Sequence, residues 1–581
     1  MRVLLQFAKK YRKAILFAVL FMILDVFCEI LQPILMANII GKGIESGDKV
    51  YIIKTGLLMI FVAAVAIFAG CNNSKNSATA GVGFAAELRR GLFTKVQQFS
   101  FKNIDKFSTA SLATRLTNDV TLLQNTAIMA MRIMVRAPLM FIFALIMTIR
   151  LNAKLSIIIA IAIPLLILSV GSILIFAFSR FTKMQTAIDN LNSNVQENLT
   201  NVRVVKSFVR EDFEKEKFKK TNDDLTNASL NAMNLVIFNM PILMLIMNLS
   251  IVAVVYFGGK QILNDTLDVA TMSAFLTYIT HILMSLMIFS MLFVMLSRAT
   301  ASYKRIVEVL KTDIDLKDNK SALKEHKFKG DVAFKNVYFK YDNNSNEYIL
   351  QDINFEVKKG TVVAIIGGTG SGKSSLVQLL PRLYDTSRGT VLVDGKDVKK
   401  YSLNLLRDNI AMVLQKNTLF SGTIAENLRW GNQNATDEEV INAAKAAQAH
   451  DFIMNFPDGY NTWIEQGGVN VSGGQKQRLC IARAILKKPA ILILDDSTSA
   501  VDTKTERKIR ESFNTILKDT TTFIIAQRIS SVKDADLIIV LDDGKIVAQG
   551  THDELLKNSP EYQEIYYSQQ DKDEGSEKVN G

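Results

Sequence analysis

TVVAIIGGTGSGKSSLVQLL, Thr361 to Leu380, decides how the second half of this chain folds. A β-branched and aliphatic run meets a glycine-rich turn, and the turn runs into a helical pattern. Gly367 and Gly372 frame G-x-x-x-x-G-K-S, closed by Lys373 and Ser374. Glycines let successive backbone N–H groups wrap an anion, and the helix that follows aims its positive end at it. Thr369, Gly370, Ser371 and Ser375 complete the loop. Lys373 has the reach for the outer phosphates of a nucleotide, and the Ser374 hydroxyl suits Mg²⁺. A glycine-rich turn without function is the bland alternative, but it does not need a strand before and a helix after.

Working outward from this loop, short β-branched runs alternate with helical stretches from about residue 331: VAFKNVYF, GTVLVDG, AILILD, TTFIIA and DLIIVLDDG. That alternation predicts an α/β domain with a largely parallel sheet. ILILD ends on Asp495, an acid delivered by an apolar strand, which fits a Mg²⁺ ligand held directly or through water. Asp496 follows at once. Between the loop and these acids lies NVSGGQKQRLCIARAIL, where Ser472, Gly473, Gly474 and Gln475 open a helix and offer a second anion site. One nucleotide rarely needs two such loops on one chain. The second is therefore expected to close over a nucleotide held by another subunit.

The first half reads differently. The 581 residues are 49% hydrophobic yet 21% charged, with mean hydropathy +0.18, so one part is membrane and one part is not. Six apolar segments, 15–40, 56–79, 128–149, 155–179, 235–263 and 269–297, approach the length of about 20 residues that a helix needs to cross a bilayer. The second is weakest, because CNNSKNSATA makes its later half polar. Basic residues crowd the N-terminus and two long loops, with Arg89, Arg90, Lys95, Lys102, Lys106 and Arg115 in one and Arg180 to Lys220 in the other. Basic loops stay inside, which places both termini and the α/β domain in the cytoplasm. The formal charge of +12 is spread along these loops rather than gathered in one stripe, so it fits an anionic lipid face and argues against nucleic acid.

The N-terminal basic run leads into an apolar stretch with no small-residue cleavage site, so an uncleaved first membrane helix is expected. Cys28, Cys71 and Cys480 have no ligand-like spacing, which excludes a disulfide framework or a zinc site. The organisation expected is a membrane domain over 1–310, a linker over 311–330, a nucleotide-binding domain over 331–570 and a polar tail over 571–581. Within the first segment Asp25 and Glu29 share a helical face. Intramembrane acids mark a pathway for a cation or pair with basic residues such as Arg132 or Arg136; the sequence leaves both open. Met240, Met244 and Met247, and Met284, Met287, Met291 and Met295, fall on shared faces, where thioethers line an apolar cavity or simply pack. Pro33, Pro138, Pro164 and Pro241 place one proline in each of four segments.

Over nearly its whole length the chain resembles a half-transporter of the ATP-binding cassette exporter class. The resemblance rests on six membrane segments followed by GGTGSGKSS, ILILD and VSGGQ, which match the Walker A loop, the Walker B strand and the signature loop, with Val471 where leucine is commoner. It implies an exporter fold, all-α in the membrane and followed by an α/β P-loop domain, that uses ATP and Mg²⁺. It implies roles for Gln415 as the Q-loop glutamine, Tyr341 as the adenine-stacking aromatic, Glu465 as the X-loop acid and Ser499 to Asp502 as the D-loop. TASLATRLTNDV and NVRVVKSFVREDFEKEKF resemble the segments that carry the coupling helices.

Two positions depart from that pattern. The family has glutamate directly after the Walker B aspartate, and here it is Asp496. It has histidine at the switch position, and TTFIIAQRIS puts Gln527 there. Aspartate is one methylene shorter, about 1–1.5 Å, and a general base misplaced by that much costs on the order of 10²-fold. Glutamine donates a hydrogen bond but does not titrate. Drift at a working site is the bland alternative. With the rest of the site intact, the expectation is a degenerate site that binds MgATP and hydrolyses it poorly, in a heterodimer whose partner carries glutamate and histidine. Such a pair would export an amphipathic solute, a drug or a lipid-like compound, across a bacterial cytoplasmic membrane. The alternatives are a homodimer with two slow sites and an ATP-gated regulatory subunit that does not pump. An importer is disfavoured because its membrane and cassette parts are separate chains, and a peptide-processing exporter because few residues precede the first segment.

Overall fold

The computed structural model describes residues 2–342, 345, 347–496 and 502–577. The chain divides into two units. One comprises Met1–Gln97 and Thr109–Thr312, and the other comprises Gln98–Ser108 and Asp313–Gly581.

The first unit is helical. Its long helical stretches are α1 (Val3–Ile44), α2 (Lys49–Gln97), α4 (Thr109–Leu151), α5 (Ser156–Thr200), α7 (Glu211–Leu263) and α8 (Val269–Lys311). The short α3 (Phe101–Lys106) and α6 (Val202–Ser207) lie between them in the chain. Among the described residues α1, α2, α4, α7 and the Val269–Ile288 part of α8 are long and apolar enough to cross a membrane, and α5 opens with the shorter apolar stretch Ser156–Ser169. At 1.5 Å per residue α2 is about 73 Å long, more than twice a hydrocarbon core of about 30 Å. The surplus explains why each apolar segment continues into a polar extension of the same helix.

The polar half of the second segment has a packing reason. Asn73 and Ser77 are buried, and Asn73 Nδ2 donates to the Ala18 carbonyl at 2.7 Å. One turn and a half further on, a Cβ at Gly83 would sit 2.2 Å from the Tyr11 ring. Small and amide side chains thus let α1 and α2 approach closely, as they do in membrane helix pairs. The core of the unit is apolar: Val26, Ile30, Ile159, Val254, Phe275, Tyr278, Ile279 and Ile282 are buried together. Tyr278 donates its hydroxyl to the Ile30 carbonyl at 2.5 Å. Asp119 on α4 accepts from Ser302 on α8 at 2.7 Å and pairs with Arg305. Pro33, Pro138 and Pro164 lie inside helices, while Pro241 sits in the first turn after the break at Phe238. Of the methionines, Met240, Met244 and Met284 are exposed and Met247 and Met287 pack on the core.

The second unit carries two main sheets. Strands β3 (Val362–Ile366), β6 (Ile410–Val413), β9 (Ile491–Asp495), β10 (Thr521–Ile525), β11 (Leu537–Asp542) and β12 (Lys545–Gly550) form one, ordered β12-β11-β3-β10-β9-β6. It is parallel except for β12. The other, ordered β2-β1-β4-β5, is antiparallel and contains β1 (Val332–Phe339), β2 (Leu350–Val357), β4 (Arg388–Val393) and β5 (Lys396–Asp397). VAFKNVYF and GTVLVDG therefore lie outside the parallel sheet in which the pattern had placed them. The reason is visible in their burial. All five residues of β9 and of β10 are buried, as strands covered on both faces must be. In β1, Lys335 and Asn336 interrupt the buried positions, the mark of a sheet with one wet face. The closing helix α12 (Pro560–Glu577) runs past the expected start of the polar tail at 571.

Candidate functional site

Parallel strands point all their carboxyl ends the same way, and the register fixes which residues meet there. Asp495 lies opposite Ile525, and Ile525 lies opposite Ile365. The turns that leave β3, β6, β9 and β10 therefore emerge side by side, carrying Gly367 to Ser375, Gln415, Asp496 and Gln527. Ligand sites of open α/β sheets sit at this edge.

The first turn is shaped by backbone freedom. Gly367 has φ 150°, and a Cβ there would fall 2.0 Å from the Leu541 carbonyl oxygen, so no other residue fits. Gly370 and Gly372 also have positive φ, and Ser371 and Ser375 are buried beneath the loop that includes Thr369. Lys373 Nζ donates to the carbonyls of Gly367 at 3.0 Å and Gly368 at 2.6 Å, which folds the ammonium back over its own loop. Burial lowers the Lys373 pKa despite Asp495 and Asp496 nearby. Ser374 Oγ donates to Asp495 Oδ1 at 2.9 Å. A hydroxyl and a carboxylate oxygen this close form a hard oxygen pair that fits Mg²⁺ beside phosphate oxygens.

Asp496 has φ 48° and its N–H donates to the Ile525 carbonyl at 3.1 Å. Gln527 Nε2 donates to Asp496 Oδ2 at 2.9 Å, and the Gln415 side chain also hydrogen-bonds this carboxylate. Burial raises the Asp496 pKa against those two bonds. Gln477, buried in helix α10 (Gly473–Leu486), donates to the Asp496 carbonyl at 3.4 Å. Sequence reading missed it, because glutamine in a helix carries no signal of its own.

The signature-loop residues stand apart. Ser472 caps α10. Its Oγ accepts from Gln475 N–H at 3.3 Å and its N–H donates to Gln475 Oε1 at 2.9 Å. Among the described residues these side chains bond to each other rather than to the phosphate loop. Val471 is buried under the loop, and Glu465 is exposed, its N–H donating to Asn470 Oδ1 at 3.1 Å. Asp502 is exposed and caps helix α11 (Thr503–Ile516), accepting from Thr505 N–H at 2.9 Å. Ser499, Ala500 and Val501 of the expected D-loop lie outside the described residues.

Tyr341 is 40% exposed, and its hydroxyl lies 2.8 Å from Ser375 Oγ. Its ring meets Tyr384 edge-on at 5.1 Å. Tyr384 in turn donates to Asp105 Oδ2 at 2.7 Å and meets the Phe101 ring at 6.1 Å, both on α3. Sequence reading did not single out Tyr384, since nothing local ties it to residues almost three hundred positions away.

In the helical unit Asp25 and Glu29 are brought together, and Arg136 bridges them. One guanidinium nitrogen lies 2.9 Å from Asp25 Oδ2 and another 2.5 Å from Glu29 Oε2. His281 of α8 lies within electrostatic reach of Glu29 and Arg136. Arg132, the other basic residue considered, is exposed one turn earlier.

Comparison with known proteins agrees with this geometry. Residues 15–287 match the family model for the ABC transporter transmembrane region, and residues 350–499 match that for the ABC transporter. The chain is 40% identical over 573 residues to the ABC transporter ATP-binding protein YfiB of Bacillus subtilis (strain 168), covering 99% of each. It is 33% identical over 580 residues to a putative multidrug export ATP-binding/permease protein, YgaD, of the same organism, covering 97% of this chain and 98% of the relative. A solved structure of a bacterial Atm1-family ABC exporter with ATP bound superposes with TM-score 0.80 at 26% identity, over 96% of this chain and 98% of that one. Helical membrane domain, phosphate loop and carboxylate-bearing strand thus lead to one conclusion: this chain belongs to the ABC transporter family, as a membrane-spanning exporter half-transporter with an ATP-binding domain.

Proposed function

We propose that this chain is one subunit of a heterodimeric exporter that moves an amphipathic solute outward across the cytoplasmic membrane, and that its own Walker site holds ATP and hydrolyses it poorly. The observation that carries this is the Asp496 carboxylate. It is the residue that would orient the attacking water, yet it is one methylene short and hydrogen-bonded by both Gln527 and Gln415. A general base needs a free lone pair within about 2.6–3.2 Å of the proton it takes. Here the amides occupy that role, and neither gives nor accepts a proton at working pH.

Lys373 and the loop N–H groups hold the phosphates, Tyr341 stacks on the base, and Gln527 presents an amide to the terminal phosphate. Ser374 and Asp495 would hold Mg²⁺, with Gln415 beside them; the ion neutralises charge on the phosphate oxygens. The Ser472 to Gln475 cap faces away from this loop and is left for a nucleotide on the partner, with Asp502 nearby at the same junction. ATP binding closes the two cassettes and shifts the membrane helices between access states. An exposed apolar pair, Phe208 at 72% and Val209 at 81%, just after α6, supports a second subunit as the surface it rests on. The name of the relative YgaD supports a drug-like solute. Pairing of Asp25 and Glu29 with Arg136 favours a structural role for these acids over direct capture of a cation.

The test is ATPase activity in lipid, for the chain alone and for the chain co-expressed with the half-transporter encoded beside it. A nearly silent chain and an active pair support the proposal. Ordinary turnover by the chain alone overturns it in favour of a homodimer.

A further inference from the structure

Gln527 is held from two sides. Its side chain reaches Asp496, and its main chain is gripped by the closing helix α12. Gln569 Nε2 donates to the Gln527 carbonyl at 2.8 Å, and Gln569 Oε1 accepts from the Ile529 N–H at 2.9 Å. One primary amide thus spends its donor and its acceptor on two backbone groups two residues apart, as a neighbouring strand would. The loop they belong to leaves β10 and has no further strand to pair with, so these groups need partners from elsewhere.

The helix that supplies them is firmly seated. Tyr562 is fully buried and its hydroxyl lies 2.6 Å from His552 Nδ1. Ile565 and Tyr566 pack on the domain core. Gln569 follows two turns after Tyr562 on the same helix, so its position is set by that anchor rather than by the loop. A glutamine has two preferred uses on a surface, solvation or bonding, and holding three torsions fixed for an exposed pair of bonds costs conformational entropy. The fixed geometry has a consequence that solvation would lack: it aims the Gln527 side chain.

We propose that Gln569 is a positioning residue of the nucleotide site, and that the C-terminal helix through it sets how long ATP stays on this chain. With the grip in place, the Gln527 amide stays between Asp496 and the terminal phosphate. When α12 shifts, the loop is released and the amide withdraws. The inference rests on the reading of Gln527 as the residue facing that phosphate.

The experiment uses the full-length chain with its partner in lipid. Photo-crosslinking with radiolabelled 8-azido-ATP reports which chain holds nucleotide, and a chase with unlabelled MgATP gives the residence time on this one. Gln569→Leu keeps the size and removes both bonds. It is expected to shorten residence by about two- to tenfold, the worth of one modest net hydrogen bond, with thermal unfolding unchanged. Gln569→Glu keeps the acceptor for Ile529, loses the donor to Gln527 and should behave alike even if the leucine variant folds poorly. Gln527→Leu shortens residence too, and the double variant matches the single ones, because both act through one amide. Additive effects, or a Gln569→Leu chain with wild-type residence beside a shortened Gln527→Leu, overturn the positioning role alone. Wild-type residence in Gln527→Leu overturns the reading of Gln527 itself, and the inference with it.

Discussion

Gln527 Nε2 lies 2.9 Å from Asp496 Oδ2, so the two positions at which this chain departs from the exporter pattern are in contact. They lie on turns after different strands, 31 residues apart in sequence. A pair that fits together is a coherent alternative to a glutamate and a histidine, which would need more room and a different proton inventory. Restoring both, as Asp496→Glu with Gln527→His, is expected to raise ATPase activity of the assembled transporter, by up to about 10²-fold at this site. Each single change should give less than half the logarithmic gain, because the unchanged partner still ties up the new side chain. Equal turnover in the wild type and the double variant would remove the main support for a degenerate site.

Lys373 is a charged group held in a loop whose burial lowers its pKa. A lowered lysine pKa means that the charged form costs the folded chain free energy when no nucleotide is bound. Lys373→Met should therefore leave the unfolding temperature without nucleotide unchanged or slightly higher. It should also abolish the rise in unfolding temperature that MgATP causes, a linkage term of about 2.7 kcal/mol at a hundredfold excess over Kd. Scanning fluorimetry with and without MgATP reads both.

Arg136 lies between two carboxylates, 2.9 Å from one and 2.5 Å from the other, and is itself 40% exposed. Removing it leaves two like charges facing each other among apolar helices. Arg136→Gln is expected to lower thermal stability in detergent, and Asp25→Asn with Glu29→Gln in the same chain to restore most of it. Breaking one side of a buried ionic group costs more than replacing the whole group. If the triple variant also exports cationic dyes at the wild-type rate, the acids have no part in recognition.

Tyr384 joins Tyr341 to α3 through a ring contact at 5.1 Å and a hydrogen bond to Asp105 at 2.7 Å. Tyr384→Phe loses only the bond, about 1 kcal/mol, and keeps the rings. Tyr384→Ala loses both. Basal ATPase activity should survive in each, while stimulation by transported solute falls modestly in the first and nearly vanishes in the second. Full stimulation in Tyr384→Ala would show that α3 receives no signal through this side chain.

Asp502 caps α11, and its hydrogen bond from Thr505, with the Arg478 charge in support, holds its pKa below the ordinary 3.8. The sign follows: a lowered carboxylate pKa adds stability above about pH 3.8 and loses it as pH falls through the folded value. Asp502→Asn keeps the cap geometry and drops the charge. Its thermal unfolding curve should lie below that of the wild type near pH 7, and the two should converge under strongly acidic conditions. A gap that stayed constant with pH would assign the stabilisation to the hydrogen bond rather than to the charge.

Much of this was legible in the sequence because the signals are local. G-x-x-x-x-G-K-S, the apolar run ending at Asp495 and the six apolar segments each depend on neighbours along the chain. The limits appear where neighbours in space decide. VAFKNVYF and GTVLVDG read as members of a parallel sheet, yet pair antiparallel in another, because strand order is set by long-range packing. CNNSKNSATA read as a weakness in the second segment, yet its small and amide residues are what let α2 lie against α1.

The sequence by itself determined the class of the chain, the loop that receives phosphate and the two substitutions in its site, since backbone conformation and residue type fix these over a few positions. Only the tertiary structure decided that Asp496 and Gln527 touch, that Arg136 claims both Asp25 and Glu29, and that Gln569 holds the turn carrying Gln527. Those contacts join residues 31, 111, 107 and 42 positions apart. Their hydrogen bonds form only after β9 and β10 pair and after α1, α4 and α12 are seated by apolar burial, which no local pattern encodes.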